Sequence, residues 1–123
     1  MIFLTEEQVK RIHQANIERF GGAQGLRDQG AFESALLAAR NRYDYEEADV
    51  VACAATYGFH LCQAHAFVDG NKRVAAATML IYLELNGAQH SLSSDDVITI
   101  FLSVAASQMT RDELEAFLRA YVR

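Results

Sequence analysis

HAFVDGNKR occupies residues 65–73, and its reading decides how the rest of the chain is understood. It gathers an imidazole, a carboxylate, a carboxamide and two cations around one glycine, directly before the apolar run VAAATMLIYL that begins at Val74. A turn needs Asp, Gly and Asn. It does not need His65, Phe67, Lys72 and Arg73 as well. The apolar run predicts a helix with Asn71 as its N-cap and Asn86-Gly87 as its stop. Because that helix is apolar nearly all round, it reads as the buried centre of the domain.

Working outward, Thr5 and Gln8 form a capping box for a first helix with Val9, Ile12, Asn16 and Phe20 on one face. Gly21-Gly22 closes it. AQGLRDQG, residues 23–30, is glycine-punctuated loop, and Asp28 caps a second helix carrying Phe32, Ala35, Leu36 and Ala39. RNRYDYEEAD, residues 40–49, predicts a connecting loop or flap, in which Tyr43 and Tyr45 either pack or meet a partner. Glu46, Glu47 and Asp49 suit the positive end of a third helix that runs to about Ala64. Val50, Ala54, Tyr57, Gly58 and Leu61 then face the core. SSDD at 93–96 opens a fifth helix through Ile98, Phe101, Leu102 and Ala105. Thr110 and Glu113 box a last helix holding Leu114, Phe117, Leu118 and Tyr121. The predicted fold is all-α: one domain over residues 1–123, a bundle of about six helices.

Composition supports this. A chain of 123 residues without proline and rich in alanine favours helix. A domain of this size buries roughly two-thirds of its unfolded surface and needs no disulfide or structural metal. The net charge of −5, with cations scattered except at Lys72-Arg73, argues against direct nucleic-acid binding. Cys53 and Cys62 match no redox or zinc spacing and read as buried free thiols. The longest apolar run is about half a membrane span, and MIFL is too short for a signal peptide. A cytoplasmic setting is expected by elimination.

The chemistry of the opening stretch follows from its place before a helix. The first helical turn offers backbone N–H groups without intrahelical partners at the positive end of the macrodipole. Gly70 allows close backbone approach, and Lys72 and Arg73 complete a site for a di- or triphosphate. Asp69 supplies a hard oxygen for Mg²⁺. His65 is the general base. Phe67 turns inward and anchors the loop. These are the parts needed to move a phosphorus centre from a nucleotide to a hydroxyl.

The string His65-Ala66-Phe67-Val68-Asp69-Gly70-Asn71-Lys72-Arg73 resembles the signature of the Fic/Doc family, H-x-F-x-[DE]-G-N-x-R. With Lys72 between Asn and Arg it is similar to the Doc (death-on-curing) toxin branch; nucleotidylating Fic proteins usually have Gly there. GGAQGLRDQGAFESAL, residues 21–36, also resembles the segment upstream of the motif in that branch. The resemblance implies the toxin of a toxin–antitoxin pair, a protein kinase using ATP and Mg²⁺ on elongation factor Tu to arrest translation. By matching position, His65 deprotonates a target Ser or Thr, Asp69 holds Mg²⁺, and Asn71, Lys72 and Arg73 bind and orient the phosphates. Lys72 fills space that Gly leaves open for the α-phosphate, so ATP is expected to present its γ-phosphoryl instead.

Ala66 and Ala64 depart from the Pro and Asn that many relatives carry. No Glu has Ser or Thr four residues before it, so the inhibitory [ST]-x-x-x-E-[GN] segment of many Fic proteins has no counterpart. Inhibition is expected in trans, from a small antitoxin whose disordered tail folds as a helix on the bundle. The rival readings are a Fic-type adenylyl transferase and a non-catalytic nucleotide-binding module. A helical ribonuclease lacks the Arg before His65, and a metalloprotease lacks H-E-x-x-H. His13, His60 and His90 read as structural.

Overall fold

Thr5 accepts from the backbone of Gln8 while the Gln8 side chain accepts from the Thr5 backbone, so the first helix starts where the capping box places it. In the computed structural model, which describes residues 1–123, six helices follow in order. They are α1 Glu6–Phe20, α2 Gln29–Glu46, α3 Val50–Ala64, α4 Asn71–Leu85, α5 Ser94–Ala105 and α6 Arg111–Arg119. Two isolated β-bridges, Leu26 with Phe67 and His90 with Val122, are the remaining regular pairings. The fold is all-α. No helix is long and apolar enough to cross a membrane.

The stretch 40–46 is helix, not flap. Nothing in it breaks a helix, and Arg40–Asp44 and Arg42–Glu46 pair across one turn at 3.2 and 3.8 Å. Its polarity serves a tertiary purpose as well. Arg42 Nη1 reaches Glu115 at 2.8 Å, Thr56 Oγ1 at 3.0 Å and the Ala52 carbonyl at 3.3 Å, tying α2, α3 and α6 together. Arg119 adds a bidentate pair to Asp49, the N-cap of α3, and a bond to Glu115. Tyr43 packs edge-on to Phe3 at 5.3 Å, and Tyr45 is exposed.

The centre of the bundle is α3 rather than α4. It packs against α2, α4, α5 and α6, and its residues Ala52 to Gly58 are buried without interruption. Small side chains make this possible, since neighbours approach closely on every side. A Cβ on Gly58 would stand 3.0 Å from Phe101 and 3.1 Å from the Met79 sulfur. α4 buries Val74, Ala75, Thr78, Met79, Tyr82 and Leu83 but leaves Ile81 and Leu85 partly in solvent. Val50, at the first position of α3, is only half-buried.

Two helices are rotated from the predicted faces. α1 buries Val9, His13 and Ile17, an i, i+4, i+8 row, while Phe20 is half-exposed. α5 buries Ile100, Phe101 and Val104, and Ile98 and Leu102 point outward, because Phe101 seats against Gly58. α6 buries Leu114 and Leu118. Cys53 and Cys62 are buried free thiols; burial pushes Cys62 up to about 11.

Candidate active site

The segment 65–70 joins the C-terminus of α3 to the N-terminus of α4, and the rest of the chain is built to hold it. Two antiparallel stretches meet here. The Arg27 and Asp28 amides both donate to the Ala66 carbonyl, at 2.7 and 3.0 Å, and the Val68 amide donates to the Gly25 carbonyl at 3.0 Å. The Arg27 guanidinium completes the seam with a bond to the His65 carbonyl at 2.7 Å. The glycine-punctuated loop therefore acts as a splint along the motif. Ala66 is buried against it and faces away from solvent.

Phe67 is the inward anchor. It is 3% exposed, stacks on the His13 ring with centroids 3.9 Å apart, and meets Phe32 edge-on at 5.3 Å. Asn71 locks the loop around it. Its Oδ1 accepts from the Phe67 amide and its Nδ2 donates to the Phe67 carbonyl, both at 3.0 Å. Asn71 is thus the first residue of α4 and not its cap; Gly70, at φ +77°, is the N-cap. One N–H of the Asn71 carboxamide is left without a partner.

With Gly70 as cap, α4 begins with no side chain bonded to its first amides. The other five helices each carry such a bond, from Thr5, Asp28, Asp49, Ser93 and Thr110. The uncapped end lies beside the exposed cations Lys72 and Arg73. Unbonded amides, the positive end of a helix and two cations make an anion site by elementary electrostatics. Arg73 is held in place by Phe20, whose ring lies 4.4 Å from its guanidinium carbon.

Asp69 is exposed, yet both of its carboxylate oxygens are oriented. Oδ1 accepts from the Gly70 amide at 2.9 Å and Oδ2 from the Ala23 amide at 3.3 Å. Each oxygen keeps a free lone-pair direction. A single oriented carboxylate beside an uncapped helix end fits Mg²⁺, which takes one or two carboxylates and completes its shell with other oxygens and water. His65 sits at the C-cap of α3 in the left-handed region, at φ +48°, with its side chain exposed.

The predicted site residues therefore occupy one loop and the helix turn that follows it. What the sequence did not mark is the supporting set from further away: His13, Phe20, Gly22, Ala23 and Arg27. His60 and His90 take no part. His60 lies half-buried by Arg111, and burial, with the charges of Arg111 and Arg42, holds it below its usual value. His90 accepts from the Leu92 amide in its own loop. A separate surface hollow between Phe3, Leu36, Leu37 and Tyr57 includes none of the motif residues.

The chain matches known proteins over most of its length. The profile of the Fic/DOC family matches residues 3–83, which span α1 to most of α4 and contain the whole loop. Protein kinase doc of Escherichia phage P1 is 31% identical over 120 residues, covering 97% of this chain and 94% of that protein. On the motif, the fold and both matches, the chain belongs to the Fic/Doc family.

Proposed function

We propose that this chain is a Doc-type toxin that transfers the γ-phosphoryl group of ATP to a Ser or Thr hydroxyl of a target protein. The observation that carries the reading is the uncapped N-terminus of α4, flanked by Lys72 and Arg73 and preceded by Asp69 and His65. Its similarity to a protein kinase supports the γ-phosphoryl as the group transferred.

In this reading the α4 amides, Lys72, Arg73 and the remaining Asn71 N–H hold the phosphates. Asp69 would hold Mg²⁺, which supplies charge neutralisation between phosphate oxygens. His65 accepts the proton of the target hydroxyl as its oxygen attacks the γ-phosphorus. The bond from γ-phosphorus to the bridging oxygen breaks, and ADP leaves with that electron pair. The catalytic residues are His65, Lys72 and Arg73. Lys72 occupies room that an α-phosphate would need, which selects phosphoryl over adenylyl transfer.

The proposed target is elongation factor Tu, and the proposed consequence is arrest of translation in the cytoplasm. The proposed inhibitor is a small antitoxin bound in trans through a segment that folds on the bundle. Intact-protein mass spectrometry of elongation factor Tu after mixing with this chain and Mg-ATP tests the reading. A phosphoryl-sized gain, absent with His65→Ala, is the expected result. An adenylyl-sized gain keeps the site but overturns the role given to Lys72. No gain overturns this target.

A further inference from the structure

We infer that His13, on α1, is a positioning residue for the candidate site: it fixes the peptide unit between Asp69 and Gly70 and thereby aims the Asp69 carboxylate. The inference rests on the reading of Asp69 as the Mg²⁺ ligand.

His13 is 3% exposed, and its Nε2 lies 2.7 Å from the Asp69 carbonyl oxygen, 56 residues along the chain. A carbonyl only accepts, so Nε2 carries the proton and donates. The ring is fixed on its other side by the stack on Phe67, at 3.9 Å between centroids and 15° between planes. It therefore has a single orientation set by two independent contacts.

The consequence lies in the geometry of one peptide unit. The Asp69 carbonyl bonded by His13 and the Gly70 amide bonded to Asp69 Oδ1 are the two ends of the same plane. Gly70 stands at φ +77° without a Cβ, so little local steric resistance opposes rotation of that plane. If the plane turned, the Gly70 N–H would leave Oδ1 and the carboxylate would lose one of its two guides. The His13 bond prevents this from α1, while the Ala23 amide guides Oδ2 from the opposite segment. His13 touches no reacting atom in this account. It acts through Asp69.

Three substitutions separate the donor from the ring. His13→Phe keeps the stack on Phe67 and removes the donor; His13→Met removes both. His13→Gln restores an N–H at comparable reach without the ring. In the free protein, hydrogen exchange of the 66–71 amides should accelerate with Phe and Met and stay near wild type with Gln. Binding of Mn²⁺-ATP, read by electron paramagnetic resonance, should weaken about 10- to 100-fold with Phe and Met and recover with Gln. Unchanged Mn²⁺-ATP affinity in His13→Phe, or failure of Gln to recover what Phe loses, overturns the proposal. So does an exchange increase spread evenly over all helices, which marks a merely structural role. A wild-type chain that binds Mn²⁺-ATP but transfers nothing overturns the proposed function and leaves the His13 result standing. A wild-type chain with no measurable Mn²⁺-ATP affinity overturns both.

Discussion

Gly22 lies directly against Asp69: a Cβ at residue 22 would stand 2.7 Å from Asp69 Oδ2, closer than carbon and oxygen approach without bonding. Gly22 also has φ +121°, which L side chains rarely adopt. Gly22→Ala should therefore displace the carboxylate and add about 1–3 kcal/mol of backbone strain. Transfer activity should fall roughly 10- to 100-fold with a raised Mg²⁺ requirement, read by titrating Mg²⁺ at fixed ATP. An unchanged Mg²⁺ dependence would remove Asp69 from the metal site.

Asn71 closes the loop with two hydrogen bonds to one residue. Asn71→Ala leaves the amide of buried Phe67 unpaired and should cost about 2 kcal/mol. For a domain of this size that corresponds to a drop in Tm of roughly 8 °C in thermal melts. Asn71→Asp keeps the acceptor for the Phe67 amide and should lose about half as much. Equal losses in the two variants would count against the bond to the amide.

Lys72→Gly opens the space beside the first turn of α4. Mass spectrometry of the modified target should then show adenylyl groups in place of phosphoryl groups. Unaltered product would mean that Lys72 does not select the phosphorus attacked.

Arg73 is braced by Phe20 at 4.4 Å. Phe20→Ala removes a contact worth about 0.5–1 kcal/mol at an exposed position, so the KM for ATP should rise about 2- to 5-fold. Phe20→Tyr keeps the ring face and should behave as wild type. Steady-state kinetics of the three proteins decide the matter.

Acid stability follows from the cluster between α2, α3 and α6. Burial alone would raise the Glu115 carboxyl, but hydrogen bonds and charge from Arg42 and Arg119 outweigh it and hold the group below 4.5. Arg119 likewise holds Asp49 below 3.8. A depressed folded value means stability that is present above the unfolded value and lost as pH falls through the folded one. Stability should therefore decline as pH drops below about 4.5. Glu115→Gln should lower stability at neutral pH by about 2 kcal/mol and flatten that decline, read by urea melts across pH. Parallel pH profiles would refute this origin.

Much of the fold was legible because helix ends are written locally. Thr5 with Gln8, Asp28, Ser93, and Thr110 with Glu113 mark starts through side-chain-to-backbone bonds that span three residues. Residues 40–46 were misread because polar and aromatic composition resembles loop, whereas the partner that gives Arg42 its place is Glu115 on α6. The rotation of α5 depends on a gap at Gly58 that no pattern within α5 contains. The motif itself was visible in full as residue types, and the roles proposed for it rest on their chemistry. Its supports were not. His13 shares the register of Val9 and Ile17, so its buried face could be inferred, but nothing near it in sequence points to Asp69.

His65 is one of three non-glycine residues at positive φ, and it holds that backbone as the last turn of α3 gives way to the loop. An L residue there costs roughly 1–2 kcal/mol that glycine does not. The fold would therefore gain, not lose, by giving up this side chain: His65→Gly should melt higher than wild type and, on the role as base proposed for His65, transfer nothing. Robustness and the proposed activity pull in opposite directions at this one residue. An inactivated copy of the chain would be the more durable one, so endurance of the protein in a cell is no measure of its potency.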